Sequence, residues 1–223
     1  QAINRKTRVV ALQRSCGYEW RPALSVAQIA QAVEFVKGIR KDLLVFVDNC
    51  YGEFTEEKEP TAYGVDLMAG SLIKNPGGGL APGGGYVAGK REWVEQAAYR
   101  LTAPGLGSKL GAGYDTHRLL YQGFFLAPHV VGQALKGAAF AAALLPRFGF
   151  ETQPHWEEKR SDIIQAVRFS QREACILFCR AIQRTSPINS MVIPEPGEMP
   201  GYKDEVIMAA GTFVQGGSLE LTA

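Results

Sequence analysis

The sequence predicts an α/β protein with a mostly parallel sheet, followed by a smaller α+β unit. Three observations carry this. Two short apolar runs, at residues 9–12 and 43–47, flank a segment with helical periodicity, giving a strand–helix–strand unit with a right-handed parallel crossover. A long, apolar, mostly helical stretch at 114–148 separates this part from the remainder. That remainder alternates short strand patterns with one helix. The expected organisation is part of a large domain over 1–112, a connecting helical segment over 113–149, and part of a small C-terminal domain over 150–223.

Residues 1–8 are polar and basic. Val9, Val10, Ala11 and Leu12 are too few for a helix and read as a buried strand. Ser25 stands where an N-cap belongs. Val26, Ile29, Ala30, Val33 and Val36 then recur at helical spacing until Gly38 closes the helix. Residues 43–47, LLVFV, are continuously apolar, as in a strand covered on both faces. Residues 55–60 are a solvated acidic loop, and 85–88 are another short strand. Residues 92–101 form an amphipathic helix with Trp93, Val94, Ala97, Ala98 and Leu101 apolar. The 114–148 stretch is expected to break near Pro128, and Gly149 closes it. Residues 150–154 and 162–169 have strand patterns. Ser170 is placed to cap a helix through Ile182, with Ala174, Ile176, Leu177, Phe178 and Ala181 mostly inward. Residues 191–193 and 206–210 read as strands, and the tail at 216–221 ends in a strand pattern.

Composition narrows the function classes. A net charge of +2 is close to balance, so neither nucleic acid nor an anionic membrane is an expected partner. No signal peptide is expected, and no apolar run is long enough to span a bilayer. Four cysteines in a chain of this length do not make a disulfide framework, so a reducing, cytoplasmic setting is expected. Cys175 and Cys179 lie one helical turn apart and read as packing residues; no metal ligand is assigned. His117 and His129 likewise read as packing histidines. The glycine-rich passage at 102–115 matches neither GxGxxG nor a P-loop, and reads as an active-site or subunit-contact loop.

The chemistry concentrates between residues 43 and 90. In open α/β sheets, ligands bind outside the carboxyl ends of the strands. Asp48 ends one strand there, and Lys74 follows another. Such an aspartate pairs with a protonated pyridine nitrogen, and such a lysine bonds an aldehyde once its amine is neutral. Together they read as a pyridoxal 5′-phosphate site. The lysine's reference pKa of about 10.4 must then be depressed by burial or a nearby cation. Ser71 can offer its hydroxyl to the cofactor phosphate. Gly77–Gly79 and Gly83–Gly85 suit a loop whose backbone amides reach a ligand, and suit a plain surface turn equally well. Arg14 and Ser15 follow the first strand and serve either the cofactor or substrate, or as loop anchors. Tyr51 and Glu53 either line the site or pack beneath it.

The elements VDNCYGEF and GSLIKNPGGG, with QRSCGY and RP upstream, resemble the fold-type-I pyridoxal-phosphate enzymes. Within these they resemble the cystathionine/methionine gamma-lyase group, in the branch called aluminium resistance protein, over the whole chain. The resemblance implies an aspartate aminotransferase-like large domain. It makes Lys74 the catalytic, cofactor-bonding lysine, Asp48 the ring-nitrogen partner and Ser71 a phosphate ligand. It also implies a homo-oligomer, dimer or tetramer, acting on a small amino-acid substrate. Family members are roughly two or three ordinary domains long. The first half of the large domain and the end of the small one are therefore expected outside this chain. With them would go the aromatic that stacks on the ring and the arginine that clamps the substrate carboxylate. The expected reaction is carbon–sulfur elimination through a lysine aldimine and a carbanion. Transamination on the same cofactor, and a non-catalytic relative of the fold, are the alternatives.

Overall fold

Apolar, β-branched runs favour strands over helices, and the two at the start of the chain pair as expected. The computed structural model describes residues 3–111, 113, 115–209, 211 and 221–222. β1 (Val9–Gln13) and β2 (Leu44–Asp48) are parallel, with Val9 opposite Leu44 and Gln13 opposite Asp48. α1 (Val26–Ile39) connects them. It opens on a capping box: Gln28 N–H donates to Ser25 Oγ at 3.2 Å, and Ser25 N–H donates to Gln28 Oε1 at 2.9 Å. Gly38 does not stop the helix, because Arg40 N–H still reaches the Val36 carbonyl at 3.1 Å. β3 (Leu67–Ser71) adds in parallel to β2, and β4 (Gly85–Gly89) adds antiparallel to β3. The sheet order is β1-β2-β3-β4, so the sheet is parallel-dominated with one antiparallel edge.

The core lies between α1 and one face of this sheet. Ile29, Val33 and Val36 pack on Leu43, Val45, Val47 and Met68. Each such side chain contributes about 1.5–3 kcal/mol when buried. The expectation that residues 43–47 are covered on both faces holds for one face only: Val45 and Val47 are buried, Leu44 and Phe46 half-buried. β1 is an edge strand rather than a buried one, and Val9 is 50% exposed. At the far end of the sheet Asp66 ties three elements together. It accepts from Lys37 of α1 at 2.6 Å, from Lys90 beyond β4 at 2.6 Å, and from the Val45 N–H of β2 at 2.8 Å. Burial alone would raise the Asp66 carboxyl, but these partners hold it below its ordinary range.

α2 (Arg91–Leu101) fully buries none of its residues; Val94, Ala97 and Ala98 of its apolar stripe are half-buried, whereas Leu101 is 74% exposed. α3 (His117–Leu144) is one uninterrupted helix of 28 residues. The break expected at Pro128 does not occur. Proline forfeits one backbone hydrogen bond, and the buried neighbours Ala127 and Val131 keep the helix seated. Its inward stripe is small: Gly123, Ala127, Ala134, Ala138 and Ala142 are all buried. At Gly123 the helix meets the turn after β3, backbone to backbone. A Cβ on Gly123 would lie 2.1 Å from the Gly77 carbonyl oxygen, and one on Gly78 2.2 Å from the Gly123 carbonyl oxygen. The first glycine triplet therefore serves a close approach, but to a helix rather than to a ligand.

β5 (Glu151–Gln153) and β6 (Ala166–Arg168) form a short antiparallel pair. α4 (Arg172–Thr185) begins one residue later than expected and Ser170 does not cap it; Gln171 occupies that position without a side-chain cap. Its inward residues are Cys179 and Gln183, with Cys175 and Ile176 beside them, whereas Leu177 is 64% exposed. The face is rotated because Cys179 packs on Ile207 and Ala209. β7 (Met208–Ala209) pairs antiparallel with β8 (Leu221–Thr222). Residues 191–193 are irregular and exposed rather than a strand. The tail pattern at 216–220 and the expected helix start at Tyr114 lie outside the described residues.

The Gly123 contact gives a direct test. Gly123→Ala is expected to destabilise by about 1–3 kcal/mol or more through overpacking, seen as a lower urea midpoint. Gly137→Ala on the same helix, where a Cβ meets nothing within 4 Å, is expected to stabilise by about 0.4–1 kcal/mol, seen as a higher midpoint.

Candidate active site

Parallel strands bring their carboxyl ends to one side, so the loops after β1, β2 and β3 share an edge. Asp48 is the last residue of β2, and its Oδ1 accepts the Cys50 N–H at 3.1 Å. This local bond turns the chain sharply out of the strand. The Cys50 thiol then sits among the Asp48 carboxylate, the Lys74 amine and the Ser71 backbone. Tyr51 follows in the left-handed region at φ 68°, which costs a non-glycine residue about 1–3 kcal/mol. Two contacts hold it there: Ile163 N–H donates to its carbonyl at 3.2 Å, and its ring packs with Val131, Ala134 and Ile163. Over that ring lies the Lys74 ammonium, 4.3 Å from the centroid, a cation–π contact.

Lys74 comes three residues after β3. Its carbonyl accepts the Gly77 N–H at 3.0 Å, closing the tight turn that docks on Gly123. Ser71 ends β3, and its hydroxyl accepts the Ile73 N–H at 3.3 Å. Asp48, Ser71 and Lys74 are all half-buried, hence open to a ligand; all three neighbour Cys50, Ser71 by its backbone, and Lys74 also meets Tyr51. One carboxylate, one amine, one hydroxyl and one aromatic face converge on this edge. That donor set suits a phosphorylated, cationic aromatic aldehyde.

The electrostatics differ from the sequence expectation in one respect. Burial pushes the Lys74 amine down, but Tyr51, Cys50 and Asp48 together raise it above its ordinary value. The depression expected from the sequence is not provided by this chain's own groups, because the neighbours acting on the amine are acids. Burial likewise raises the Cys50 thiol and the Tyr51 phenol, each opposed by Lys74. Sequence reasoning weighed Tyr51 chiefly as packing and overlooked Cys50. The available signal was position: both lie on the turn immediately after Asp48.

Arg14 and Ser15 prove to be anchors. Arg14 is fully buried and donates to Asn49 at 2.8 Å, Glu56 at 3.1 Å, Glu59 at 3.2 Å and Thr55 at 3.3 Å. Ser15 Oγ donates to Asp162 at 2.9 Å, and Cys16 N–H donates to the same oxygen at 3.2 Å. His117 and His129 are exposed on α3, so neither is a packing histidine. Cys179 is buried, and no group of residues able to hold a metal ion occurs among the described residues. Among those residues, no helix is long and apolar enough to cross a membrane. A cleft of about 270 Å³ lined by Leu72, Pro76, Ala81, Leu120, Tyr121 and Phe124 is largely apolar.

Comparison with known proteins bears on the family and the fold. The family model described as methionine gamma-lyase matches residues 1–223. The uncharacterized protein YnbB of Bacillus subtilis (strain 168) is 59% identical over 222 residues, covering 100% of this chain and 53% of that protein. An uncharacterized protein of Lactobacillus delbrueckii subsp. bulgaricus is 54% identical over 215 residues, covering 96% of this chain and 70% of its own length. A Listeria innocua structure, described as a candidate cystathionine beta-lyase involved in aluminum resistance, superposes with a TM-score of 0.92 at 54% identity. It covers 99% of this chain and 54% of its own. A Clostridium novyi NT structure, described as a carbon-sulfur lyase involved in aluminum resistance, gives 0.87 at 51% identity, covering 96% of this chain and 49% of its own. The chain thus spans about half the length of several of these relatives. The metB structure from Corynebacterium glutamicum, at 15% identity and a TM-score of 0.56, shares the fold.

The anchor beneath this edge is testable on its own. Arg14→Met is expected to cost about 3–5 kcal/mol, because Glu56 and Glu59 lose a buried counter-charge. Arg172→Met, at an exposed ion pair with Glu205, is expected to cost less than about 1 kcal/mol. Equilibrium denaturation of both variants checks the difference.

Proposed function

Because the chain belongs to the methionine gamma-lyase family, we propose that it forms the lysine-bearing part of a pyridoxal-phosphate-dependent lyase that breaks a carbon–sulfur bond in a small amino acid. The single observation that carries this reading is the meeting of Asp48 and Lys74 at the carboxyl edge, with the amine over Tyr51. The names of the similar structures support the reaction class, and the donor set supports the cofactor. Residues 1–112 belong to the cofactor-binding domain, 113–149 to the connector and 150–223 to the small domain in this reading. The protein works as a homo-oligomer in the cytoplasm.

When bound, pyridoxal 5′-phosphate supplies an electron-accepting ring that stabilises negative charge at the substrate α-carbon. Asp48 holds a positive ring nitrogen by charge-assisted hydrogen bonding. Ser71 offers its hydroxyl to the phosphate. Lys74 takes the α-proton at Nζ and returns a proton to the departing sulfur, acid–base work worth about 10²–10⁴-fold. The ammonium form, held against the Tyr51 face, is the one that donates. The neutral form, needed for abstraction, grows as pH rises, so the proton-abstraction step is faster on the alkaline side.

Adding pyridoxal 5′-phosphate to the full-length protein is expected to give a visible absorbance band, and borohydride reduction to fix the corresponding mass on the peptide containing Lys74. Lys74→Ala is expected to lose both; a band that persists in this variant would sink the assignment. Asp48→Asn is expected to keep the bonded mass but lower kcat by on the order of 10²-fold, as when a charge-stabilising group is removed. With thioether amino acids, released sulfur supports the lyase, whereas keto acid formed with an amino acceptor supports an aminotransferase.

A further inference from the structure

Glu53 is a buried acid for which the chemistry above has no use. It is 4% exposed and lies two residues beyond Tyr51. Its carbonyl accepts the side-chain N–H of Asn75 at 2.9 Å, and Asn75, fully buried, directly follows Lys74. Its Oε1 accepts the Tyr86 hydroxyl of β4 at 2.8 Å, and that hydroxyl accepts from Asn49 Nδ2 at 3.0 Å. Gly70 of β3 makes the room, since a Cβ there would lie 2.4 Å from Oε1. One residue therefore touches β3, β4, the turn after β2 and the turn that carries the lysine.

Its remaining oxygen, Oε2, is buried without a hydrogen-bond partner. A carboxylate in that position is costly, whereas the neutral acid is tolerated. The titratable groups facing it are Tyr86 from β4, Glu59 from the loop after β2, and Arg14 from the end of β1. Arg14 is engaged with Asn49, Thr55, Glu56 and Glu59. Burial, aided by Glu59, pushes the Glu53 carboxyl up to about 7, against the pull of Tyr86 and Arg14.

We propose that Glu53 is a positioning residue, bracing the turn that bears Lys74 against the turn that bears Tyr51 and coupling their alignment to its own ionisation. This rests on Lys74 being the reactive amine. The sign follows directly. Below the inflection Glu53 is neutral and the brace is closed. As pH rises through it, the acid ionises beside Glu59 with one oxygen bare. The Tyr86 bond itself strengthens, but the bare buried Oε2 forces the turn that carries the Glu53 carbonyl to shift, and through the Asn75 bond to that carbonyl the amine leaves its place over Tyr51. The site thus loses alignment on the side of the pH scale where the neutral amine becomes more populated.

The test uses the full-length protein loaded with pyridoxal 5′-phosphate, comparing wild type with E53Q and E53A. Gln keeps an acceptor for Tyr86 but cannot ionise. The wild type is expected to show an inflection near pH 7 in both kcat and the position of the visible band, and E53Q is expected to lack it. One pH unit above the inflection the wild type keeps about a tenth of its neutral acid, so E53Q is expected to exceed it there by up to about tenfold. E53A is expected to be impaired at every pH. A second readout needs no cofactor: isotope-labelled reductive methylation reports the titration of the Lys74 amine. That titration is expected to shift in E53Q and in N75A, which cuts the brace from the other side. An E53Q inflection identical to wild type, an E53Q indistinguishable from E53A, or an unshifted Lys74 titration in N75A would overturn the proposal. Failure of the lysine assignment shows separately, as a borohydride-fixed mass missing from Lys74 in the wild type.

Discussion

A guanidinium entirely withdrawn from water sets the shape of the edge on which everything else stands. Arg14 leaves β1 and meets Asn49, Thr55, Glu56 and Glu59, all from the segment that follows β2. Its planar fork suits several acceptors at once, which lysine does not. Gly52 lies against it so closely that a Cβ would sit 2.4 Å from Arg14 Cδ. Glu56 also accepts the Val26 N–H at 2.9 Å, so the first residue of α1 is fastened to the same hub. Arg14 and the backbone N–H of Val26 hold the Glu56 carboxyl below its ordinary range despite its burial. The charge requires the 49–59 segment to fold back on β1, and Tyr51 and Glu53 reach their places as a result.

A second clasp closes over the first from later in the chain. Asp162 gathers Ser15, Cys16 and the Ile164 N–H, and burial raises its carboxyl despite these donors. Next to it, Ile163 N–H fixes the Tyr51 carbonyl, and the Ser161 carbonyl accepts the Thr55 hydroxyl at 3.1 Å. The segment between β5 and β6 thereby lies on the loops of the sheet edge. Residues far apart in sequence hold a strained tyrosine that neither would hold alone.

The parts legible in the sequence are those governed by short-range rules. Apolar runs of strand length gave β1, β2 and their parallel pairing, the Ser25 cap gave the start of α1, and parallel topology brought Asp48 and Lys74 to one edge. What escaped was decided by partners distant in the chain. Pro128 leaves α3 unbroken because the helix is packed on both sides of it. The inward face of α4 turns toward Ile207 and Ala209. Arg14 and Ser15 stood open between ligand contact and anchor until the positions of Glu56, Glu59 and Asp162 decided it. Cys50 and Tyr51 stood within the VDNCYGEF element without a role assigned to them; only the turn after Asp48 shows that both reach the amine.

The meeting of Gly77 and Gly78 with Gly123 has a mechanical consequence. Where side chains separate two elements, rotamer changes absorb small displacements. Here main chain abuts main chain, and nothing soft lies between α3 and the turn that carries the lysine. A slide of the helix therefore presses directly on the turn whose first carbonyl is that of Lys74.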